Sequence, residues 1–332
     1  MRAPVFRRLR CLRERRVAAR RDESALLCRP ASAGRPTGVP FVTIILAVAA
    51  ALLPVSQASS AAQSATSRER TLYVSALTAD GRPVETLAPG DVVVREDGVR
   101  REVLRITPAA EPMDLAVLVD TSEAATTALL DLRRSVSAFV SRMATRHNVA
   151  LVGLAARPTV IVDYTMDGAR LQQAASSLFA QRDSGATLLD ALTEVSNGIA
   201  RREGPRAAIV AVVTDGVEFT NKDPRTVIEA LERAGVAFHA VTVGTFPIRN
   251  DQDRDRVRVL EEGTRRTGGS RHSLLASSGL QVALEAVGSE LLSQFKVVYG
   301  RPESLIPPER TEVSSARAGL VVRGTPARGQ GD

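Results

Sequence analysis

The chain has 332 residues, 44% of them hydrophobic, which excludes a disordered polypeptide and leaves room for about two domains. Its formal charge of +7 is concentrated at the start. Of the 44 basic and 37 acidic residues, eleven Arg and three acids (Glu14, Asp22, Glu23) lie in residues 1–38, and the remaining 33 and 34 nearly cancel. With no Trp and only 3% aromatic residues there is no stacking surface for single-stranded nucleic acid, and no nucleic-acid partner is expected.

The basic leader runs into an apolar stretch, residues 41–53, followed by Pro54 and small residues up to Ala62. That order predicts export, with residues 1–62 forming either a cleaved signal peptide or an uncleaved signal anchor. The expected location is periplasmic, secreted or membrane-anchored outside the cytoplasm, with the membrane touched only through that anchor. Both cysteines, Cys11 and Cys28, fall in the leader, so the exported body has no disulfide and no thiolate metal site.

Residues 63–70 are small and polar and read as a linker. Strand-like runs at 71–77 and 91–96, with turns at Asp80-Gly81 and Asp97-Gly98, predict a small β unit over 71–110 that packs on the domain C-terminal to it. From Asp114 onward the pattern alternates. Apolar runs at 115–119, 149–154, 160–162, 207–213 and 237–243 are separated by helical spacings such as Leu129, Leu132, Val136, Phe139, Val140 and Met143, or Leu188, Leu192, Val195 and Ile199. Buried strands between helices predict an α/β, doubly wound, mostly parallel sheet. The runs at 149–154 and 160–162 are too close for a helical crossover, so one antiparallel edge strand is expected. This domain is expected to span 112–293 and to end in a helix at 279–292. C-terminal β segments come next over 294–323, then a disordered tail over 324–332.

In such a sheet, ligands bind at the carboxyl ends of the strands. Three polar segments fall there: Asp120-Thr121-Ser122-Glu123-Ala124, Asp183-Ser184-Gly185-Ala186-Thr187 and Thr214-Asp215-Gly216. They offer carboxylates and hydroxyls without His or Cys, a donor set for Mg²⁺, Mn²⁺ or Ca²⁺ that leaves coordination positions open. Taken singly, Ser122 and Thr187 are natural helix N-caps, and Asp190 reads as a first-turn helix acid.

These three segments, in their order and separation, resemble the metal-ion-dependent adhesion site of von Willebrand factor type A domains. The flanks, Asp80-Gly81-Arg82-Pro83-Val84 and Val94-Arg95-Glu96-Asp97-Gly98 before and residues 295–299 after, are similar to a bacterial subgroup, the VWFA-related domain proteins of acidobacterial type. The likeness spans residues 72–322. It implies metal at Asp120, Ser122 and Thr187, with Asp215 acting directly or through water, and a protein partner whose acidic side chain completes the site. The family's first motif is Asp-x-Ser-x-Ser, and Ala124 stands in place of its last serine. The resemblance implies a non-enzymatic interaction or adhesion module. The alternatives are a metal-dependent hydrolase, for which Glu123 is the nearest base, and a structural envelope protein with a vestigial site.

Other signals carry less. Asp251, Asp253 and Asp255, with Glu262 at the twelfth position, imitate a calcium loop. Arg256 occupies the place of its essential glycine, so these acids are expected on a solvated loop and helix start. Arg201-Arg202 and Arg265-Arg266 read as solvated helix faces. His239 lies within an apolar run and reads as a core or sheet-edge residue rather than a base. No Gly-x-Ser-x-Gly elbow or His-Glu-x-x-His helix occurs.

Overall fold

A computed structural model describes residues 67–303 and 305–329, all within the second of the chain's two units, Ala62–Asp332. The expected leader and its signal segment, both cysteines, residues 63–66 of the expected linker and residues 330–332 of the tail lie outside the described residues.

The first described segment enters a strand directly. β1 (Ser67–Thr78) begins inside the stretch expected as a linker, because Ser67–Arg70 pairs antiparallel with Pro302–Tyr299. After β2 (Val92–Glu96), β3 (Val99–Arg101) and β4 (Val103–Pro108), the chain enters the central sheet with β5 (Asp114–Asp120). The helix α1 (Leu129–Ala144), β6 (Asn148–Leu154), β7 (Pro158–Thr165), α2 (Gly168–Ser176), α3 (Leu188–Ala200) and β8 (Ala207–Thr214) succeed it. Next come α4 (Pro224–Arg233), β9 (Val236–Val243) and α5 (Asp251–Arg258). A π turn (Val259–Gly263) joins α5 to the short α6 (Thr264–Arg266), and β10 (Arg271–Leu274) and α7 (Leu280–Leu292) complete this part.

The central sheet has the order β10-β9-β8-β5-β6-β7, parallel throughout except for β7 at one edge. Side-chain alternation divides its core into two layers. Leu115, Val117 and Val119 of β5 pack with α1, α2 and α7, whereas Ala116 and Leu118 pack with α3, α4 and the π turn. Residues buried on both faces account for the continuous apolar runs in the sequence. α2 escaped the periodicity because it buries only Leu171 and Ala175. Among the described residues, no helix is long and apolar enough to cross a membrane.

The two flanks were expected as separate β pieces, and they form one body. β11 (Phe295–Pro302) and β13 (Leu320–Pro326) sandwich β1 in a four-stranded sheet ordered β13-β1-β11-β4, while β12 (Thr311–Ser315) pairs with β2 in a second sheet, β12-β2-β3. Leu72, Val74, Val92, Val94, Val297 and Tyr299 share a single core between the two sheets. Neither flank has enough apolar surface to stand alone, and pairing across the length of the chain supplies it.

The tail also departs from expectation. Residues 324–326 belong to β13, and Arg328 reaches the end of α3, where its guanidinium donates to the Ile199 and Arg202 carbonyls and lies 3.8 Å from the Asp114 carboxylate. Ile199 O also accepts the Arg202 N–H at 2.8 Å, and Arg328 adds a tertiary cap to this helix end. Arg202 itself is only partly exposed, bonded to Asp114 at 2.9 Å and stacked on Tyr164, rather than solvated. Arg328→Ala is expected to lower stability by about 1–2 kcal/mol, read as a lower midpoint in thermal unfolding. An unchanged midpoint would mean that the contact is incidental.

Candidate metal centre

All three polar segments converge at the carboxyl edge of the central sheet. Asp120 closes β5 and is completely buried. One carboxylate oxygen accepts the Ser122 N–H at 2.8 Å, and the other accepts the Thr214 N–H at 3.0 Å and the Thr214 hydroxyl at 2.5 Å. The first and third segments are thereby fastened to each other through one side chain.

The second segment is fastened to both. Glu123 N–H donates to the Ser184 carbonyl at 3.2 Å, and the Glu123 carboxylate accepts the Asp183 N–H at 3.2 Å. Ala186 N–H donates to Val217 O at 2.9 Å, and Phe219 N–H to Ala186 O at 2.8 Å. The ring of Phe219 lies on Gly185, where a Cβ would come within 2.2 Å of it, so a glycine is needed there for the two loops to touch. Thr187 is buried, and its hydroxyl donates to Ala155 O at 3.0 Å, which leaves the oxygen lone pairs free.

The donor set fits a small hard cation in one telling respect. Ser122 Oγ is fully buried and has no hydrogen-bond partner among the described residues, an arrangement that costs free energy unless something else satisfies it. Asp120, Ser122 and Thr187 could hold such a cation. The Ala124 methyl and Ser122 Oγ both border the small space above Gly216, 2.6 and 3.5 Å from where a Cβ there would sit. A hydroxyl at position 124 would therefore enter the same space, and its absence removes one donor. Asp215 stands aside. Its carboxylate leans on Gly244 and accepts the Thr245 N–H at 3.4 Å, turned toward the β9 loop.

Several residues at this edge were not legible as part of the site. Glu218 is completely buried, with one oxygen accepting the Leu189 N–H at 3.1 Å at the start of α3 and the other without a partner among the described residues. Burial pushes its carboxyl up to about 8; the Leu189 N–H and the Arg256 charge oppose the rise, and the charges of Asp120 and Asp190 add to it. Of the alternating acids of α5, Asp251 is exposed at the helix start as expected, whereas Asp253 departs from the solvated stretch. Asp253 and Arg256 are fully buried and paired at 3.3 Å, and Arg249 bonds Asp253 at 2.9 Å. Burial works to raise the Asp253 carboxyl, but the Arg249 hydrogen bonds and the Arg256 charge outweigh it and hold it below its ordinary value. Both arginines donate to the loop after β8: Arg256 to Gly216 O at 2.7 Å, and Arg249 to Asp215 O and Gly216 O at 3.1 and 2.9 Å. The pair clamps the third segment from outside.

His239 lies buried in β9 as a core residue, its Nδ1 2.9 Å from Ser270 Oγ. Burial pushes it down to about 4. Glu290, the neighbouring acid, is bonded to Arg323 at 2.7 Å rather than to a histidine, so the group is not arranged as a nucleophile, base and orienting acid.

Residues 114–279 match the family model of the von Willebrand factor type A domain. No curated protein matches the chain. Among solved structures, the vWF domain of the type V pili tip protein Mfa5 from Porphyromonas gingivalis is similar at 12% identity and TM-score 0.44, over 55% of this chain and 96% of that one. The conserved hypothetical protein BatB from Bacteroides thetaiotaomicron is similar at 14% identity and TM-score 0.43, over 55% and 100%. A von Willebrand factor type A structure from Catenulispora acidiphila is similar at 10% identity and TM-score 0.44, over 79% and 72%.

Proposed function

The chain belongs to the von Willebrand factor type A domain family, a fold commonly used in protein–protein interaction and adhesion, and from that premise we propose that it is an exported, metal-dependent binding module. Mg²⁺, or Mn²⁺ or Ca²⁺ in its place, would be held by Asp120, Ser122 and Thr187, with Asp215 acting directly or through water. The cation would supply a Lewis-acid attraction for an acidic side chain of a protein partner. The observation that carries this reading is the buried, unpartnered Ser122 hydroxyl beside Asp120. The basic leader followed by the apolar run at 41–53 supports export.

The chain's own groups would do the remaining work. Thr214 and the Ser122 N–H fix both oxygens of Asp120, the hydrogen bonds of Glu123 hold the second loop, and Arg249 and Arg256 hold the third. The engagement of Glu123 with Asp183 N–H gives it a positioning task and weighs against its use as a hydrolytic base.

Ala124→Ser tests the reading, since it restores the hydroxyl the family's motif carries. Mn²⁺ titration followed by electron paramagnetic resonance is expected to show binding about tenfold tighter than in the parent chain, roughly 1.4 kcal/mol. Equal affinity in both would place any bound cation away from this loop.

A further inference from the structure

The sandwich formed by the two flanks and the central domain keep separate cores: no residue of the sandwich core belongs to either layer around the central sheet. Polar side chains bridge the joint between them. Arg323 of β13 bonds Glu290 of α7 at 2.7 Å, Gln294 donates to Ser75 of β1 at 3.0 Å, and the Thr325 hydroxyl donates to Thr267 O at 2.7 Å. The chain crosses the joint through residues 109–113 and 293–294, and these crossings lie side by side, with Ala109 N–H donating to Gln294 O at 2.8 Å.

All three histidines of the chain stand at this joint. His239 on β9 is completely buried, with Nδ1 2.9 Å from Ser270 Oγ and Nε2 without a partner among the described residues. His272 on β10 approaches the same hydroxyl at 3.4 Å, and Glu290 lies 3.5 Å from it. His147 is buried beside the first crossing. Its Nδ1 accepts the Met113 N–H at 3.3 Å, and its Nε2 has no partner among the described residues.

From this arrangement we propose that the joint is an acid-operated hinge, in which protonation of its histidines swings the sandwich away while the central sheet stays folded. An imidazolium needs water or a paired acid, and water reaches His239 and His147 only when the joint opens. The charged or titratable groups facing His239 are Glu290 on α7, Arg323 on β13 and His272 on β10; Glu290 and Arg323 also face His272, and Arg206 and Arg146 face His147. Burial is the largest influence, pushing His239 and His147 down to about 4 and His272 below its ordinary value. The arginines add to it, and the Glu290 charge opposes it at His239 and His272. The closed joint is therefore fully favoured above about pH 6.5 and loses stability as the pH falls toward about 4. Met113, His147 and Arg206 directly precede β5, β6 and β8, so the joint lies at the amino edge, opposite the candidate metal centre, and opening leaves the metal loops in place.

Thiol labelling of the full chain tests the hinge. Ser75→Cys reports the joint, where Ser75 is buried, and Val212→Cys reports the central sheet. Labelled positions are located by peptide mass spectrometry, and each rate is divided by that of the unfolded chain at the same pH. A histidine that titrates at 6.5 when open and at about 4 when closed shifts the opening equilibrium about thirtyfold between pH 7.5 and pH 5. Labelling at position 75 is therefore expected to rise at least about thirtyfold over that range, and labelling at position 212 less than about threefold. Adding His239→Gln is expected to remove one such factor from the response at position 75. Ring NMR of the parent chain, which does not depend on any variant folding, is expected to show two of the three imidazoles still neutral at pH 5. Unchanged labelling at position 75, an equal rise at position 212, a His239→Gln variant that responds as fully as its parent, or three rings titrating near 6.5 would overturn the proposal.

Discussion

Glu218→Gln is expected to make the chain more stable at neutral and alkaline pH and to leave it unchanged in acid. The carboxyl titrates near 4.5 when unfolded and is pushed up to about 8 when buried in the folded chain. Below about 4.5 both states are protonated and the group contributes no pH dependence. Between the two values the unfolded chain releases the proton and the folded chain keeps it, so stability falls by about 1.4 kcal/mol per pH unit, and the loss is complete above about 8. Glutamine is neutral throughout and can still accept the Leu189 N–H. In chelator, chemical denaturation of parent and variant is therefore expected to agree near pH 4 and to diverge by a few kcal/mol at pH 8. Parallel curves across that range would show that Glu218 ionises freely where it sits.

The second large effect is expected at Gly244. Its φ of +103° is one that L side chains rarely adopt, and a Cβ there would come within 2.4 Å of the Asp215 carboxylate. Gly244→Ala therefore combines backbone strain with displacement of a short side chain that has little room to yield. A loss of about 2–4 kcal/mol is expected, together with weaker Mn²⁺ binding as Asp215 moves. Gly81→Ala separates the two causes, because φ there is +83° with nothing within 4 Å of the added carbon. It should cost only about 1 kcal/mol and leave the cation alone. If Gly244→Ala is as mild as Gly81→Ala, the contact with Asp215 carries no weight.

The sequence disclosed what repeats or stands in a strong local context. The strands of the central sheet announce themselves because they are buried on both faces, and β7 because the gap before it is too short for a crossover. Asp120, Ser122, Thr187 and Asp215 could be named because each closes a strand or opens a helix in a recognisable setting. The union of the two flanks could not be read, since Thr71 pairs with Val298 and no local pattern specifies a partner so far along the chain. Glu218, Asp253 and Arg256 were hidden for a different reason. Charged residues in irregular segments read as solvated, and only tertiary packing shows that all three are buried and that Asp253 and Arg256 compensate each other.

The central claim is that a divalent cation sits on Asp120 and its neighbours, and isothermal titration with Mg²⁺ tests it most directly. The parent chain is expected to give saturable heat at one site. Asp120→Ala, with its fold checked by circular dichroism, is expected to give none. Absence of heat from the parent chain, or the same heat from a folded Asp120→Ala variant, would contradict the account.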